Sequence, residues 1–453
     1  MKKGNIVLFF PSYVGMGTYH WFPFPYLYIG PFLEKAGFKS VIIDARIEPQ
    51  WKELLRKSLN GSLCVGITAM TGSDIKDAIE AATICKKADP MMPVIWGGPH
   101  ATADPEGTAR LDYVDAAVCG QGEDAMTKIA ERVYEGKDFS GIPGVVYKKG
   151  ESILKNTKSE VPFDYDIYPG FHLVDVEKYR SPNNIISVFT SRGCPFRCSF
   201  CTTGDKDYSE RTLEQVKNEI SFVVDKLKFK NIFFQDGTFF VKKKRVMKIA
   251  EWLVSSDINI KWKGKARTNS LLDYSAEELA LLKKSGLVSV FFGVESGSQS
   301  ILDRMQKGTK PEDAEKSAAI CRDYGMEFYA SFMFAVPHET TKDLQNTIAH
   351  IRKLKKINPK AIIQNCIYIP LPDTPMYEDA RRCGYKPPET LEGWIERNIS
   401  SRFEERHDIT WIPPKTLKEY IKIYNREFGV YKHLFEREKE GAYTSVFKEK
   451  TEG

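Results

Sequence analysis

The chain of 453 residues has no strong excess of charge of either sign, since 66 lysines and arginines face 60 aspartates and glutamates for a net charge of +6. So small an excess gives no reason to expect a specific nucleic-acid partner. No apolar run reaches the roughly 20 residues that a membrane-spanning helix needs. Residues 1–4 lead into a short strand pattern rather than a signal peptide. We therefore expect a cytoplasmic globular protein with no membrane span.

Histidine is scarce, with seven in the chain and none between His172 and His338. The nine cysteines are an odd number, which argues against a disulfide framework and fits a reducing, anoxic compartment. Structural zinc sites usually pair two CxxC units or add histidines, and the single cysteine cluster of this chain has neither beside it. The isolated cysteines are expected to be buried free thiols. They are Cys64, Cys85, Cys119, Cys321, Cys366 and Cys383.

The cysteine cluster lies within residues 194–201, Cys-Pro-Phe-Arg-Cys-Ser-Phe-Cys, where Cys194, Cys198 and Cys201 are spaced by four and three. Soft thiolates that converge on one point suit a polynuclear iron–sulfur cluster. Three ligands for four irons leave one iron open to a small chelating ligand. The CxxxCxxC spacing resembles that of the radical S-adenosylmethionine (SAM) enzymes. That resemblance implies a [4Fe–4S] cluster, SAM, a 5′-deoxyadenosyl radical, and an external electron donor such as ferredoxin or flavodoxin.

Strand and helix patterns alternate after the cysteine cluster, which predicts a partial (β/α)6 barrel of the TIM type with active residues at the carboxyl ends of its strands. The predicted strands are 185–190, 231–235, 260–266, 288–293, 328–335 and 362–369. By the resemblance, Asp236 takes the amino group of SAM, although Gln235 stands where related enzymes often carry a first acid. Arg267 ends the next strand and is suited to pair with the SAM carboxylate in a bidentate way.

Two further segments at predicted strand ends resemble SAM-contacting motifs of that family. Residues 293–298 match its Gly-x-Glu-x-Gly segment. Residues 334–340 match a Gly-x-Pro-Gly-Glu-Thr loop near adenine, but Ala335 and His338 replace the two glycines. The SAM contacts that the resemblance implies are Phe200, Asp236, Arg267, Glu295, Ser296 and Val336.

The first part of the chain, from residue 5 to residue 118, also alternates strands and helices, which predicts a doubly wound, Rossmann-like parallel sheet. Ligands bind such sheets beyond the carboxyl ends of the strands. Polar or glycine-rich loops fall at three of these ends, at residues 68–72, 97–100 and 119–123.

This domain resembles the cobalamin-binding domain that precedes the barrel in many radical SAM enzymes, through Thr68-Ala69-Met70 and Gly97-Gly98 at the family's usual separation. Its histidine motif, Asp-x-His-x-x-Gly, is missing, and His20 lacks the flanking aspartate and glycine. Methyl-transferring members commonly lack that motif too. The implied cobalamin contacts are Ser12, Thr68, Met70, Thr71, Gly97, Gly98, Pro99, His100, Gly120, Gly122 and Glu123. The alternative is a structural domain without a ligand, because glycine loops occur in any doubly wound domain.

Two features of this domain have ordinary structural explanations as well. His100 either lies beside the nucleotide tail of cobalamin or caps a loop through a hydrogen bond. The aromatic run at residues 19–28 follows neither strand nor helix periodicity. It either packs in the core or lines the upper face of the corrin ring.

The length predicts about two to four domains. We place a cobalamin-binding domain at 1–140, a proline- and glycine-rich linker at 141–182, the radical SAM domain at 183–375 and a helical C-terminal region at 376–453 that covers the barrel mouth. Helices are expected near 390–400 and 415–438, and disorder is expected after about residue 448.

The resemblance implies a cobalamin-dependent radical SAM C-methyltransferase, which moves a methyl group from SAM through methylcobalamin to an unactivated carbon. The alternatives are a cobalamin-dependent radical SAM cyclase, a methylthiotransferase that uses Cys64, Cys85 and Cys119 for a second cluster, and a cobalamin sensor with an inactive barrel. We expect a protein or peptide substrate, with lipids, tetrapyrroles and antibiotic precursors as other classes. We also expect neither a histidine nor the benzimidazole of cobalamin beneath the cobalt, with Met70 or Thr71 nearest.

Overall fold

The computed structural model describes residues 3–12, 21–72, 75–157, 166–203, 206–256, 258–396, 403 and 406–428. The chain divides into two compact units, Met1–Tyr179 with Pro388–Asn398, and Arg180–Pro387 with Ile399–Gly453. Within the described ranges, no helix is both long enough and apolar enough to cross a membrane. His20 and the chain after Phe428 lie outside the described residues, so the expectations for them stay predictions.

The first unit is built on a seven-stranded sheet in the order β2-β1-β3-β4-β5-β6-β7. Strands β1 to β5 are parallel, as predicted, and the hairpin β6–β7 adds two antiparallel strands at one edge. The residues of this hairpin fall within the linker predicted at 141–182, but Val145 and Val146 are fully buried, so the hairpin extends the sheet. The strands are β1 Asn5–Phe10, β2 Lys39–Asp44, β3 Ser62–Thr68, β4 Val94–Gly97, β5 Ala116–Val118, β6 Val145–Lys149 and β7 Ser152–Lys155.

Helices cover both faces of this sheet because its central strands are apolar on both sides. The helices are α1 Phe24–Lys35, α2 Trp51–Leu59, α3 Ile75–Ala88, α4 Gly98–Ala103, α5 Pro105–Arg110 and α6 Glu123–Tyr134. Aromatic residues between 21 and 28 pack inside, since Phe22, Phe24, Tyr26 and Tyr28 are at most 8% exposed. Tyr26 also donates a hydrogen bond of 2.5 Å to the carbonyl of Phe9. The core explanation therefore holds for the described part of the aromatic run.

The second unit is built on a six-stranded, wholly parallel sheet in the order β15-β14-β13-β12-β11-β8, which confirms the predicted partial barrel. Its strands are β8 Ile185–Val188, β11 Asn231–Phe234, β12 Lys261–Arg267, β13 Leu287–Glu295, β14 Glu327–Phe334 and β15 Ile362–Ile367. A separate antiparallel pair, β9 Ser191–Cys194 with β10 Lys206–Glu210, carries the first cysteine of the cluster. The strand predicted at 185–190 therefore ends at Val188, and the cysteines begin on a hairpin.

Helices alternate with these strands, and several begin at capping residues that the sequence provides. Thr340 accepts a hydrogen bond from the backbone N–H of Asp343, whose carboxylate accepts one from Thr340 in return, so the helix after β14 has a fixed first turn. The helices are α7 Leu213–Asp225, α8 Lys243–Ser255, α9 Ala276–Lys284, α10 Gln299–Arg304, α11 Pro311–Asp323, α12 Thr341–Ile357, α13 Pro375–Arg382, α14 Leu391–Glu396 and α15 Pro414–Phe428. Of these, α14 belongs to the first unit.

The loop after β14 has an unusual backbone that the C-terminal segment holds in place. Ala335 and His338, which stand where the resembled motif has glycines, have positive φ angles of 57° and 66°. The backbone N–H of Ala335 donates to the Tyr420 hydroxyl at 3.0 Å, and the Trp411 indole N–H donates to the Ala335 carbonyl at 2.7 Å. The chain thus keeps the left-handed conformation without the glycine, at a cost of about 1 kcal/mol per residue.

This conformation predicts an order of stabilities at exposed His338. His338→Gly should raise the free energy of unfolding by up to about 1 kcal/mol, because glycine adopts positive φ without steric cost. His338→Val should lower it by about 1–2 kcal/mol, because a β-branched side chain is strained there. Thermal and urea unfolding measure both changes.

The control is the exposed first residue of β12, Lys261, whose backbone is extended. There the order should reverse, with Lys261→Val more stable than Lys261→Gly, since strands favour β-branched residues. The same order at both positions would contradict the assigned loop conformation.

Candidate active site

The cysteine loop starts at the end of β9 and is anchored to the chain after α10. Cys194 is 8% exposed, Cys198 and Cys201 are partly exposed, and none of the three forms a disulfide. Ser199 donates to the Met305 carbonyl through its backbone N–H and to the Arg304 carbonyl through its hydroxyl, each at 2.9 Å. In the described part of the chain, no three His, Cys, Asp or Glu side chains are grouped as the ligands of one metal ion.

Asp236 lies at the carboxyl end of β11, where the sequence placed a SAM contact, and it is 1% exposed. Its carboxylate accepts hydrogen bonds from the backbone N–H groups of Thr190 at 2.6 Å and Ser191 at 3.2 Å, and from the Thr190 hydroxyl. Burial raises the pKa of Asp236, and these hydrogen bonds oppose that rise. The structure therefore uses Asp236 to position the segment that enters β9. Its contact with SAM stays a prediction.

Arg267, at the end of β12, lies against the cysteine loop. One of its terminal nitrogens, Nη1, is 3.6 Å from the Cys198 sulfur, and its guanidinium carbon is 4.0 Å from the centre of the Phe196 ring. Arg267 is 7% exposed, and its buried Nε has no hydrogen-bond acceptor among the described residues. Burial raises the pKa of the Cys198 thiol, whereas Lys307 and Arg267 oppose that rise, so both cations favour a thiolate.

Lys307 is a residue that the sequence analysis missed. Its ammonium is 2.9 Å from the Glu295 carboxylate and 5.6 Å from the centre of the Phe200 ring, and both charged side chains are at most 9% exposed. Gly293 makes room for this pair, because a β-carbon there would lie 2.4 Å from Glu295 Oε1 and 2.8 Å from Lys307 Nζ. In the sequence, the only hints of this ion pair are Gly293 and the glycine that follows Lys307. No helix or strand periodicity links Glu295 to Lys307.

The other predicted SAM contacts lie at neighbouring strand ends but already have partners within the protein. Glu295 has a positive φ of 65° at a bulge that ends β13. Ser296 is fully buried, and its hydroxyl is 3.0 Å from that of Thr347. The Val336 N–H donates to Glu339, whose pKa burial raises to about 8. Of the predicted SAM contacts, Phe200 and Glu295 both lie beside Lys307, and Arg267 lies beside Cys198 of the same cysteine loop.

In the first unit, the predicted loops after β3 and β4 contact each other closely. Gly98 has a φ of 88°, and a β-carbon there would lie 2.5 Å from the Thr68 hydroxyl. The Ala69 N–H donates to the Gly97 carbonyl and the His100 N–H donates to the Ala69 carbonyl, each at 3.0 Å. Only a glycine at 98 leaves these loops so close together.

His100 is 2% exposed and is held by its neighbours. Its ring nitrogen Nδ1 is 3.2 Å from the Thr71 hydroxyl, and its ring lies 6.3 Å from that of Trp394. Burial lowers the pKa of His100, which favours the neutral imidazole. The loop-capping explanation therefore describes its hydrogen bonds. Pro99 lies in the first turn of α4 rather than in a loop, since the helix begins at Gly98.

The remaining predicted cobalamin contacts surround the same edge of the sheet. Ser12, after β1, is hydrogen-bonded to Asp77 in the first turn of α3. The Gly120 N–H donates to the Thr102 hydroxyl at 3.0 Å, and Gly122 precedes α6, whose first residue Glu123 is buried. Met70 is 45% exposed.

Both units have donor sets that suit the cofactors the sequence suggests. Three disulfide-free cysteines beside two buried cations fit an anionic iron–sulfur cluster, and the unpaired Arg267 Nε fits a carboxylate ligand. The close approach of Gly97 and Gly98 to the loop after β3 fits a ligand that passes near the backbone.

Comparisons with known proteins agree with both halves. Residues 188–351 match the family model "Radical SAM superfamily" and residues 13–130 match "B12 binding domain". The uncharacterized methyltransferase PH0819 of Pyrococcus horikoshii is 31% identical over 328 residues, which cover 70% of this chain and 69% of that protein. The anaerobic magnesium-protoporphyrin IX monomethyl ester cyclase of Rubrivivax gelatinosus is 26% identical over 83% of this chain and 70% of its own.

Among solved structures, the radical SAM methyltransferase TsrM of Kitasatospora setae, with cobalamin and a [4Fe–4S] cluster bound, has the same fold. The TM-score is 0.69 at 20% identity, over 85% of this chain and 76% of that one. The predicted fold class is thereby confirmed, as are the predicted cofactors, a [4Fe–4S] cluster, SAM and cobalamin. The chain therefore belongs to the radical SAM superfamily, and within it to the cobalamin-dependent enzymes of the methyltransferase type.

Proposed function

We propose that this enzyme transfers a methyl group from SAM, by way of cobalamin, to an unactivated carbon of its substrate. The observation that carries the proposal is the cysteine loop with its two buried cations, in a chain that also has the glycine-lined sheet edge of a B12-binding domain. Relatives named as methyltransferases for bacteriochlorophyllide d and cytidylyl-2-hydroxyethylphosphonate support it, at 26% and 23% identity.

When bound, the cluster and SAM supply a radical that removes hydrogen from carbon, and cobalamin supplies the methyl group. The residues of the chain have to hold these groups and exclude water. We assign Cys194, Cys198 and Cys201 to the cluster, because their loop is pinned by Ser199 and by the segment that Asp236 holds. Asp236 is thus a positioning residue in this proposal.

Arg267 and the Glu295–Lys307 pair form the SAM side of the proposal. The unpaired Nε of Arg267 faces no protein acceptor in the described chain, so it remains available to a carboxylate. The Lys307 ammonium lies over the Phe200 ring and forms an ion pair with Glu295. The ion pair fixes the orientation of the Lys307 and Glu295 side chains. Ser296 and Val336 complete the strand ends at which the ligand would lie.

On the cobalamin side, the residues that hold the ligand are those at the carboxyl edge of the first sheet. Thr68, Gly97, Gly98, Pro99 and His100 form its centre, where backbone groups approach one another closely. The other members at this edge are Ser12, Met70, Thr71, Gly120, Gly122 and Glu123.

A methylthiotransferase is a weaker candidate, although a putative enzyme of that kind from Methanocaldococcus jannaschii is 28% identical over 59% of this chain. Burial raises the pKa of Cys64 and of Cys85 to about 12, and both thiols are fully buried, Cys64 within β3 and Cys85 within α3, rather than on a loop at the strand ends. A cyclase that does not methylate is the closer alternative, because cyclase relatives cover 83% of the chain. We retain a protein or peptide substrate only as a prediction, since no similarity addresses it.

The first test concerns the cluster. Alanine at Cys194, Cys198 or Cys201 should abolish the visible absorbance of the cluster and SAM cleavage in anaerobically reconstituted protein, while cobalamin binding remains. The matched control is Cys119→Ala, which should keep one cluster per chain. Loss of iron and sulfide in Cys119→Ala, or two clusters per wild-type chain, would instead support a methylthiotransferase.

The second test concerns Arg267. Arg267→Lys keeps the charge but loses the fork of nitrogens, so SAM affinity should fall about tenfold. Equilibrium dialysis with SAM measures this, after iron analysis has shown that the variant holds its cluster. The control is the exposed Arg322→Lys, which should bind SAM like the wild type. Unchanged SAM affinity in a cluster-loaded Arg267→Lys protein would remove Arg267 from the SAM site.

The third test concerns the cobalt. The Thr71 hydroxyl and the loop after β3 already engage His100, and we also expect the benzimidazole of cobalamin to be absent from the lower face of the cobalt. The electron paramagnetic resonance spectrum of the cob(II)alamin form should therefore show no nitrogen superhyperfine splitting. His100→Ala should leave that spectrum unchanged. A nitrogen splitting in the wild type that disappears in His100→Ala or His20→Ala would show a histidine ligand.

A further inference from the structure

The two faces of the six-stranded sheet differ sharply in exposure. One face lies under the helices, and its large side chains are completely buried; they include Trp262, Val290, Phe292, Phe328, Phe332 and Phe334. The opposite face is the inner surface of the partial barrel, and it is not closed. Its partly exposed side chains are Lys265, Phe291, Ser331, Met333, Gln364 and Cys366. A concave surface of this kind at the centre of an enzyme domain is where a substrate would bind.

The pairing of the strands places these inner residues beside one another. Lys265 is paired with Phe291, which is paired with Tyr329. One step nearer the carboxyl ends, Arg267 is paired with Gly293, and Ser331 with Gln364. Registered residues of parallel strands project from the same face, so Lys265 lies one layer deeper than Arg267.

Lys265 is a partly exposed cation on the inner face of the barrel. It forms no ion pair with a carboxylate in the described ranges, and its ammonium is 5.7 Å from the centre of the Phe233 ring. Burial lowers the pKa of Lys265, although the negative charges of Asp236 and Cys201 oppose that change. Asp236 already accepts three hydrogen bonds from Thr190 and Ser191. A bound anion beside Lys265 would offset the cost of burying its charge.

The neighbouring lysine of the strand shows a different arrangement. Lys263 lies one layer deeper than Lys265 and is 5% exposed. Burial lowers the pKa of Lys263, and the carboxylate of Glu327 opposes that change. Glu327 also accepts a hydrogen bond of 2.9 Å from Ser289. The deepest layer therefore contains its own acid, whereas the layer of Lys265 contains aromatic rings.

Those rings give the inner surface a flat, apolar part next to the cation. The rings of Phe291 and Tyr329 are stacked, with centres 4.9 Å apart and planes inclined by 24°. Tyr329 is 3% exposed, so a planar conjugated ligand would pack on the partly exposed Phe291 ring. An amide at Gln364 and a hydroxyl at Ser331 add hydrogen-bonding groups above the rings.

We propose that the inner face of the barrel binds a planar organic substrate whose carboxylate or other anionic group pairs with Lys265. The partly exposed Phe291 ring, which stacks on the buried Tyr329 ring, contacts the planar part of that substrate, and Lys265 fixes its orientation through charge. This assignment rests on the proposed function, since it places the substrate of that reaction within the same barrel. It departs from the predicted protein or peptide substrate, because a single cation beside an aromatic ring matches one anionic group on a planar molecule.

The test uses two probes of the same shape, 2-naphthoate and its neutral isostere 2-naphthamide. The protein carries its reconstituted cluster and saturating SAM, so the SAM site is filled. Isothermal titration calorimetry should show that wild-type protein binds the carboxylate about tenfold more tightly than the amide. Lys265→Met should remove that difference and leave amide binding unchanged. The matched control is Lys261→Met, at the exposed start of the same strand, which should retain the full preference.

Three results would overturn the proposal. They are equal or undetectable binding of the two probes to wild-type protein, an unchanged preference in Lys265→Met, and weaker SAM binding in Lys265→Met, which would assign Lys265 to SAM. Iron content and SAM cleavage are measured on the same samples. Failure of those two readouts in wild-type protein would refute the proposed function itself, whereas their success with no carboxylate preference would refute only the substrate class.

Discussion

The chemistry of this site depends on cations that stabilise the negative charge of cysteine thiolates in partly buried surroundings. Thiolates on a partly buried loop are unfavourable unless cations lie near them, because burial favours the neutral thiol. Arg267 and Lys307 supply that compensation at Cys198. Each cation is itself fixed by a second contact, Arg267 by the Phe196 ring and Lys307 by Glu295. Five side chains from separate parts of the chain therefore have to be placed together before the loop is suited to ligate metal.

At the carboxyl ends of β13 and β14, the backbone adopts conformations that most residues avoid. Glu295, Ala335 and His338 all have positive φ angles, and none of them is glycine. Such strain persists only where the surroundings determine the conformation, and it is concentrated at functional sites. Here the surroundings are specific, since Lys307 holds Glu295, while Tyr420 and Trp411 hold Ala335.

The sequence predicts the two parallel sheets and the cysteine loop because each depends on local signals, namely apolar strands between amphipathic helices and a short ligand spacing. It did not predict the Glu295–Lys307 pair, since nothing local joins two residues from different loops. It predicted that Asp236 contacts SAM, which stays a prediction, but it gave no sign that the Asp236 carboxylate accepts hydrogen bonds from Thr190 and Ser191. The hairpin β6–β7 was assigned to a linker because glycines and prolines surround it, although its valines complete the first sheet.

The contact between Tyr420 and the loop after β14 has a consequence for the order in which the chain folds during synthesis. All six strands of the second sheet have been translated once Ile367 is made. Trp411 and Tyr420, which hold the backbone of Ala335, follow more than forty residues later, as their numbers show. A nascent chain that has reached the last strand thus has a complete sheet but an unsecured loop at its mouth. Trp411 and helix α15, which carries Tyr420, secure this loop only after all six strands have been made, so the loop reaches its final conformation late in synthesis.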